Sequence, residues 1–87
     1  MNPKMITYSD GSKHWCLNGR SHREDGPAIE FANGTKRWYL NGQCHREDGP
    51  AIEFADGTKH WLLNDKELTE EEFNKVRLKK NLQDLIK

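Results

Sequence analysis

Residues 22–32 read HREDGPAIEFA, and residues 45–55 read HREDGPAIEFA again, 23 positions later. An eleven-residue identity at fixed separation marks an internal repeat, and a period of this length decides the fold before any local propensity does. The period runs beyond the identical block. Asp10-Gly11, Asn33-Gly34 and Asp56-Gly57 are spaced by it, as are Trp15, Trp38 and Trp61, and then Leu17, Leu40 and Leu63.

Each period reads as a β-hairpin unit. Alternation over 36–40 puts Trp38 and Leu40 on one face of a first strand and Tyr39 on the other. Asn41-Gly42 ends that strand with a dipeptide suited to positive φ. The stretch 43–49 is polar and loop-like. Pro50 opens a second strand, where a missing N–H is tolerated, and Ile52 and Phe54 share a face. Asp56-Gly57 then turns the chain into the next unit. Ile6 and Tyr8 align with Ile29 and Phe31, so the chain enters on a second strand. Trp61 and Leu63 begin a third unit whose loop is replaced by residues 64–68. The fold class expected is therefore mainly β: stacked antiparallel hairpins over residues 1–68, as a half unit, two full units and a half unit. They would form a single elongated, twisted sheet of about six strands, with Trp, Leu, Ile and Phe together on the inward face.

Residues 69–87 form a capping helix in this reading. Thr69 and Glu72 make a capping box, with Leu68 and Phe73 at the two positions of a hydrophobic staple. Three glutamates in the first turn suit the helix dipole. At 100° per residue Phe73 and Val76 lie on one side, while Leu78, Leu82, Leu85 and Ile86 cluster roughly opposite. One helix against one short sheet cannot bury both stripes. Either the chain bends near Asn81, or the second stripe meets another molecule, self or partner.

Composition narrows the function classes. Fourteen basic and fourteen acidic residues cancel in 87, which removes a whole-chain electrostatic pull toward nucleic acid or anionic membrane. No apolar run has the length of a membrane span, so the expectation is a soluble, cytoplasmic protein, in the host cytoplasm if viral. Cys16 and Cys44 occupy non-equivalent repeat positions and read as free thiols.

The His-Arg-Glu-Asp run contains the residue types of a catalytic kit: a base, a carboxylate and a cation. Two identical copies with no complementary cluster elsewhere argue for a structural part instead, and the chain is read as a non-enzyme. In that reading Asp25 and Asp48 accept N–H groups of the following turn. Gly26 and Gly49 supply a conformation that other residues resist, and His22 and His45 cap strand-edge backbone. Arg23 and Arg46 pair with acids across adjacent loops, Arg46 approaching Glu24 at a unit spacing of roughly 10 Å. The histidines and cysteines lack zinc-type spacing, so neither metal nor cofactor is expected. The rival reading is a nucleic-acid or nucleotide binder. It would use Lys13, Lys36, Arg37 and Lys59 among Trp15, Trp38, Tyr39 and Trp61 as a stacking platform.

With its Asp/Asn-Gly turns, its tryptophans at 15, 38 and 61, Asn-Gly at 18 and 41, and His22…Gly26 and His45…Gly49, the unit resembles the MORN repeat. The stretch NG-x-x-HREDGPA is similar to a MORN-like variant of short bacteriophage and bacterial proteins. The resemblance covers roughly residues 5–67 and departs from the MORN pattern in carrying Trp for the usual Tyr and an inserted Arg-Glu-Asp. It implies a scaffold or protein-interaction role, and for a phage-type accessory protein a host partner that is bound and inhibited, such as a defence component. Contacts are expected on the outward strand row of His14, Cys16, Arg37, Tyr39, His60 and Leu62. The helix stripe of Leu78, Leu82, Leu85 and Ile86 is expected to join two copies as a homodimer.

Overall fold

A computed structural model describes residues 2–86, with side chains described through Lys80. It is mainly β, an antiparallel sheet of many short strands followed by one helix. In chain order these are β1 (Lys4–Thr7), β2 (Lys13–Leu17), β3 (Arg20–Ser21), β4 (Ile29–Glu30), β5 (Lys36–Arg37), β6 (Tyr39–Leu40), β7 (Gln43–Cys44), β8 (Ile52–Glu53), β9 (Lys59–Leu63), β10 (Lys66–Leu68) and α1 (Glu70–Ile86). The main sheet has eight strands in the order β1-β2-β4-β5-β8-β9-β10, with β3 paired to β2, and β6-β7 form a separate two-stranded sheet. The single six-stranded sheet expected from the pattern is thus exceeded. The difference lies in the residues after each Asn-Gly turn, where Ser21 and Cys44 pair back onto Cys16 and Tyr39. The first strand of the second unit is also interrupted at Trp38, and the second strands are shorter than the apolar run suggests.

The 23-residue period reappears in the hydrogen bonds. Trp15 and Trp38 N–H donate to Ala28 and Ala51 C=O at 2.8 Å each, and His22 and His45 N–H donate to Trp15 and Trp38 C=O. Phe31 and Phe54 N–H donate to Thr35 and Thr58 C=O, repeating the bond of Tyr8 to Ser12. In each of these turns the Asx side chain two residues earlier accepts a backbone N–H: Asp10 from Ser12, Asn33 from Thr35 and Asp56 from Thr58. Asn18, Asn41 and Asn64 have φ of 51–53°. They are followed by Gly19, Gly42 and Asp65, also at positive φ, the geometry of a two-residue hairpin turn matched to strand twist.

Residues opposite each other in a ladder share a face, and the register separates two rows. On one face run Ile6, His14, Ile29, Arg37, Ile52 and His60; on the other run Thr7, Lys13, Glu30, Lys36, Glu53 and Lys59. Trp15 pairs with Met5 and Trp61 with Leu68, on the lysine-glutamate side. The expectation that tryptophan, isoleucine and phenylalanine share one inward face is therefore corrected. Trp38 and Ile52 are separated by a turn and a loop, and pattern within a strand does not fix the phase between strands.

Ala28 and Ala51 are fully buried, Cys44 and Phe73 nearly so, whereas the tryptophans are half-buried. The capping box closes as the sequence requires: Thr69 N–H donates to Glu72 Oε1, and Glu72 N–H donates to Thr69 Oγ1. Phe73 is 2 % exposed, and α1 runs unbroken from Glu70 to Ile86 against β9 and β10. Replacing Ala51 by Leu should overfill its site and cost about 1–3 kcal/mol in urea denaturation. The same change at exposed Ala55 should stay within about 0.5 kcal/mol.

Candidate functional site

Arg23 and Arg46 organise the repeated loops. Each guanidinium lies 3.9 Å from the ring centroid of the tryptophan that begins its unit, Arg23 over Trp15 and Arg46 over Trp38. Arg46 Nε donates to Asp48 at 2.8 Å, while its Nη1 donates to Pro50 C=O at 3.1 Å and to Glu53 at 3.0 Å. Arg23 makes the same three bonds to Asp25, Pro27 and Glu30 at 3.0, 3.1 and 3.2 Å. The acids that hold each arginine are thus its own, not those of the neighbouring loop, and the expected approach of Arg46 to Glu24 is replaced by these intra-unit bonds. Asp25 and Asp48 likewise serve the guanidinium rather than the next turn. Gly26 and Gly49 do not lie at positive φ; a Cβ there would stand 3.1 and 3.0 Å from Arg23 Cζ and Arg46 Cζ. The flat cation needs the space, and that is why glycine stands there.

The histidines link successive units. Asn41 N–H donates to His22 Nδ1, and Asn64 N–H donates to His45 Nδ1, both at 2.9 Å. An Nδ1 that accepts leaves the proton on Nε2, and His45 uses it toward Glu47 at 3.1 Å. Both ring nitrogens of His45 are therefore occupied, and His22 is buried. The arrangement couples strands; it does not present a free base to a substrate.

The loops also bound the open spaces of the molecule. Between them lies a groove of about 530 Å³ whose floor is Trp38 and Leu40, with Arg23–Gly26 on one wall and His45–Asp48 on the other. A second groove of about 430 Å³ lies between the later loop, Leu63-Asn64 and the helix residues Phe73, Val76, Arg77 and Lys80. Lys80 donates to Glu47 there. The bonds from Lys80 and His45 hold the Glu47 carboxyl below its ordinary value, and the bond from Arg46 does the same for Asp48.

On the opposite face, rings and cations alternate across the strands. Tyr8 meets His14 edge-on at 4.7 Å, and His14 meets Phe31 at 6.3 Å. Arg37 lies 5.6 Å from Phe31, and Phe54 meets His60 at 5.5 Å. His60 also bonds Glu67 at 2.7 Å. Arg37 Nε is buried without a hydrogen-bond partner. Of the residues expected to make contacts, His14, Arg37, Tyr39, His60 and Leu62 are half-buried, and Leu78 is 61 % exposed on the helix. The side chains of Leu82, Leu85 and Ile86 lie outside the described residues. The reading of His22 and His45 as backbone caps did not name the Asn41 and Asn64 N–H groups they accept, although the repeated 19-residue spacing carries them.

Two features bear on the nucleic-acid alternative. The lysines of the tryptophan face alternate across the strands with Glu30 and Glu53, and arginines already cover Trp15 and Trp38. Among the described residues no three His, Cys, Asp or Glu side chains are grouped to hold a metal ion, and no helix is long and apolar enough to cross a membrane. Both cysteines are free thiols. Comparison with family models, curated proteins and solved structures finds no match to this chain.

Two outcomes follow for this region. Glu47 and Asp48 have folded-state values below 4.5 and 3.8, so their contribution is present above those values and is lost as pH falls through the lower, folded ones. Urea midpoints should hold from pH 7 to 5 and decline below about pH 4.5, and the decline should be shallower in Glu47→Gln/Asp48→Asn. Burial pushes the Cys44 thiol up to about 11. Iodoacetamide at pH 8 should therefore label Cys16 well before Cys44, as read by mass spectrometry of the folded protein.

Proposed function

We propose that this chain is a small non-enzymatic protein-interaction module, built as MORN-like stacked hairpin units with a helix at the end, and that it engages its partner through the ring-and-cation face. The observation that carries this reading is the row Tyr8–His14–Phe31–Arg37 with Phe54–His60 beyond it. These residues contact one another laterally; Tyr8 is exposed, and His14, Phe31, Arg37, Phe54 and His60 are half-buried. Tyrosine, phenylalanine and arginine concentrate binding energy at protein interfaces because they offer large contact area at modest entropy cost. The repeated loops support the same reading from the other side. Their histidines, arginines and most of their acids are engaged in bonds within and between units, which supports a structural use of the loops. A host protein as the partner, bound and inhibited by a phage-type accessory protein, rests on the resemblance of the NG-x-x-HREDGPA stretch.

The test is affinity capture from a host lysate with matched baits. The wild type should retain a protein that Tyr8→Ser/Arg37→Ala releases, with the circular-dichroism melts of the two baits superimposing to within a few degrees. Identical retained proteins on both folded baits would contradict the reading. Should that variant melt early, Tyr8→Ser alone, at a position 47 % exposed, serves the same comparison.

A further inference from the structure

The molecule shows within itself how a helix meets one of the repeated loops. α1 turns Phe73, Val76, Arg77 and Lys80 toward the second loop. Phe73 is buried, Lys80 bonds Glu47, and the positive charge of Arg77 is among the influences on Asp48. Twenty-three residues earlier the first loop carries the same acidic pair, Glu24-Asp25, and Leu40 stands in the place of Leu63. The groove between the loops has that apolar floor, and its walls hold four carboxylates to two guanidiniums. Asp25 and Asp48 are held by the guanidiniums of their own loops and Glu47 by Lys80, so exposed Glu24 brings the uncompensated negative charge of the rim.

The complementary surface is on the same chain. At 100° per residue Lys75, Leu78 and Lys79 share one side of α1, opposite Phe73 and Lys80. Leu78 is 61 % exposed. Lys75 makes a long exposed contact with Glu71 at 3.7 Å, of the kind that contributes little. An exposed leucine flanked by two ammonium groups matches an apolar floor flanked by carboxylates.

We propose that the Lys75–Leu78–Lys79 stripe of one copy docks into the groove between the two loops of a second copy, and that the reciprocal contact closes a two-fold dimer. Leu78 covers Leu40 beside the arginine-capped Trp38, and the lysines face Glu24 and Asp25. A two-fold arrangement makes the contact twice with one surface pair. This surface is separate from the ring-and-cation face, so either reading stands or falls alone.

Sedimentation equilibrium on the full chain tests it. The wild type should show twice the 10.2 kDa chain mass. Leu78→Ser should sediment as a monomer with an unchanged melting curve, because that side chain is exposed in the single chain. Lys79→Glu and Glu24→Lys should each be monomeric alone and dimeric when mixed in equal amounts, since both reciprocal contacts then join opposite charges. A wild type that stays at the chain mass to millimolar concentration would overturn the proposal. So would a dimer that survives Leu78→Ser, or a mixture of the two charge variants that does not reassociate.

Discussion

The guanidinium of Arg46 is the point on which the second unit converges. It lies flat on Trp38, spans Asp48 and Glu53, and satisfies the carbonyl of Pro50. Arg23 repeats the arrangement on Trp15. A chain with 33 % hydrophobic residues cannot build a thick apolar core, and among the described residues the buried apolar side chains are two alanines, a thiol and one phenylalanine. The planar cation acts as the lid of each half-buried tryptophan. It binds together, in one place, the loop, the start of the second strand and the strand before it. A charged group is well suited to this only because its hydrogen-bonding capacity is largely met and part of it stays solvated.

Much of this was legible in the residues. The period, the Asn-Gly turns and the capping box all follow from spacing and turn chemistry. The His22 and His45 contacts to the next unit agree with the reading of those histidines as backbone caps. What escaped the sequence was phase. Alternation tells which residues of one strand share a face, but the faces of two strands are tied together only by the path of the chain between them. The HREDGP loop sets that path, so the isoleucines and phenylalanines came out opposite the tryptophans. The role of Gly26 and Gly49 escaped for a related reason. A glycine kept for space near a distant guanidinium looks, in sequence, like one kept for its backbone angle.

Identical sequence does not give the two loops identical surroundings. Glu47 is bonded by Lys80 and His45, whereas Glu24 stands exposed at the rim of a groove. The repeated residues build the frame, and the differences between copies arise from what lies beside them: a helix in one case, an open channel in the other. The surfaces proposed for recognition are the ring-and-cation face, where the units differ at Cys16, Tyr39 and Leu62, and the helix.

The account stands on the arginine as a shaped, multiply bonded lid and not as a charge. Equilibrium urea unfolding of Arg46→Lys, which keeps the charge and removes the planar fork, measures that directly. A loss of about 1–3 kcal/mol, with an equal loss for Arg23→Lys, is the result this account predicts. An unfolding midpoint equal to that of the wild type would contradict it.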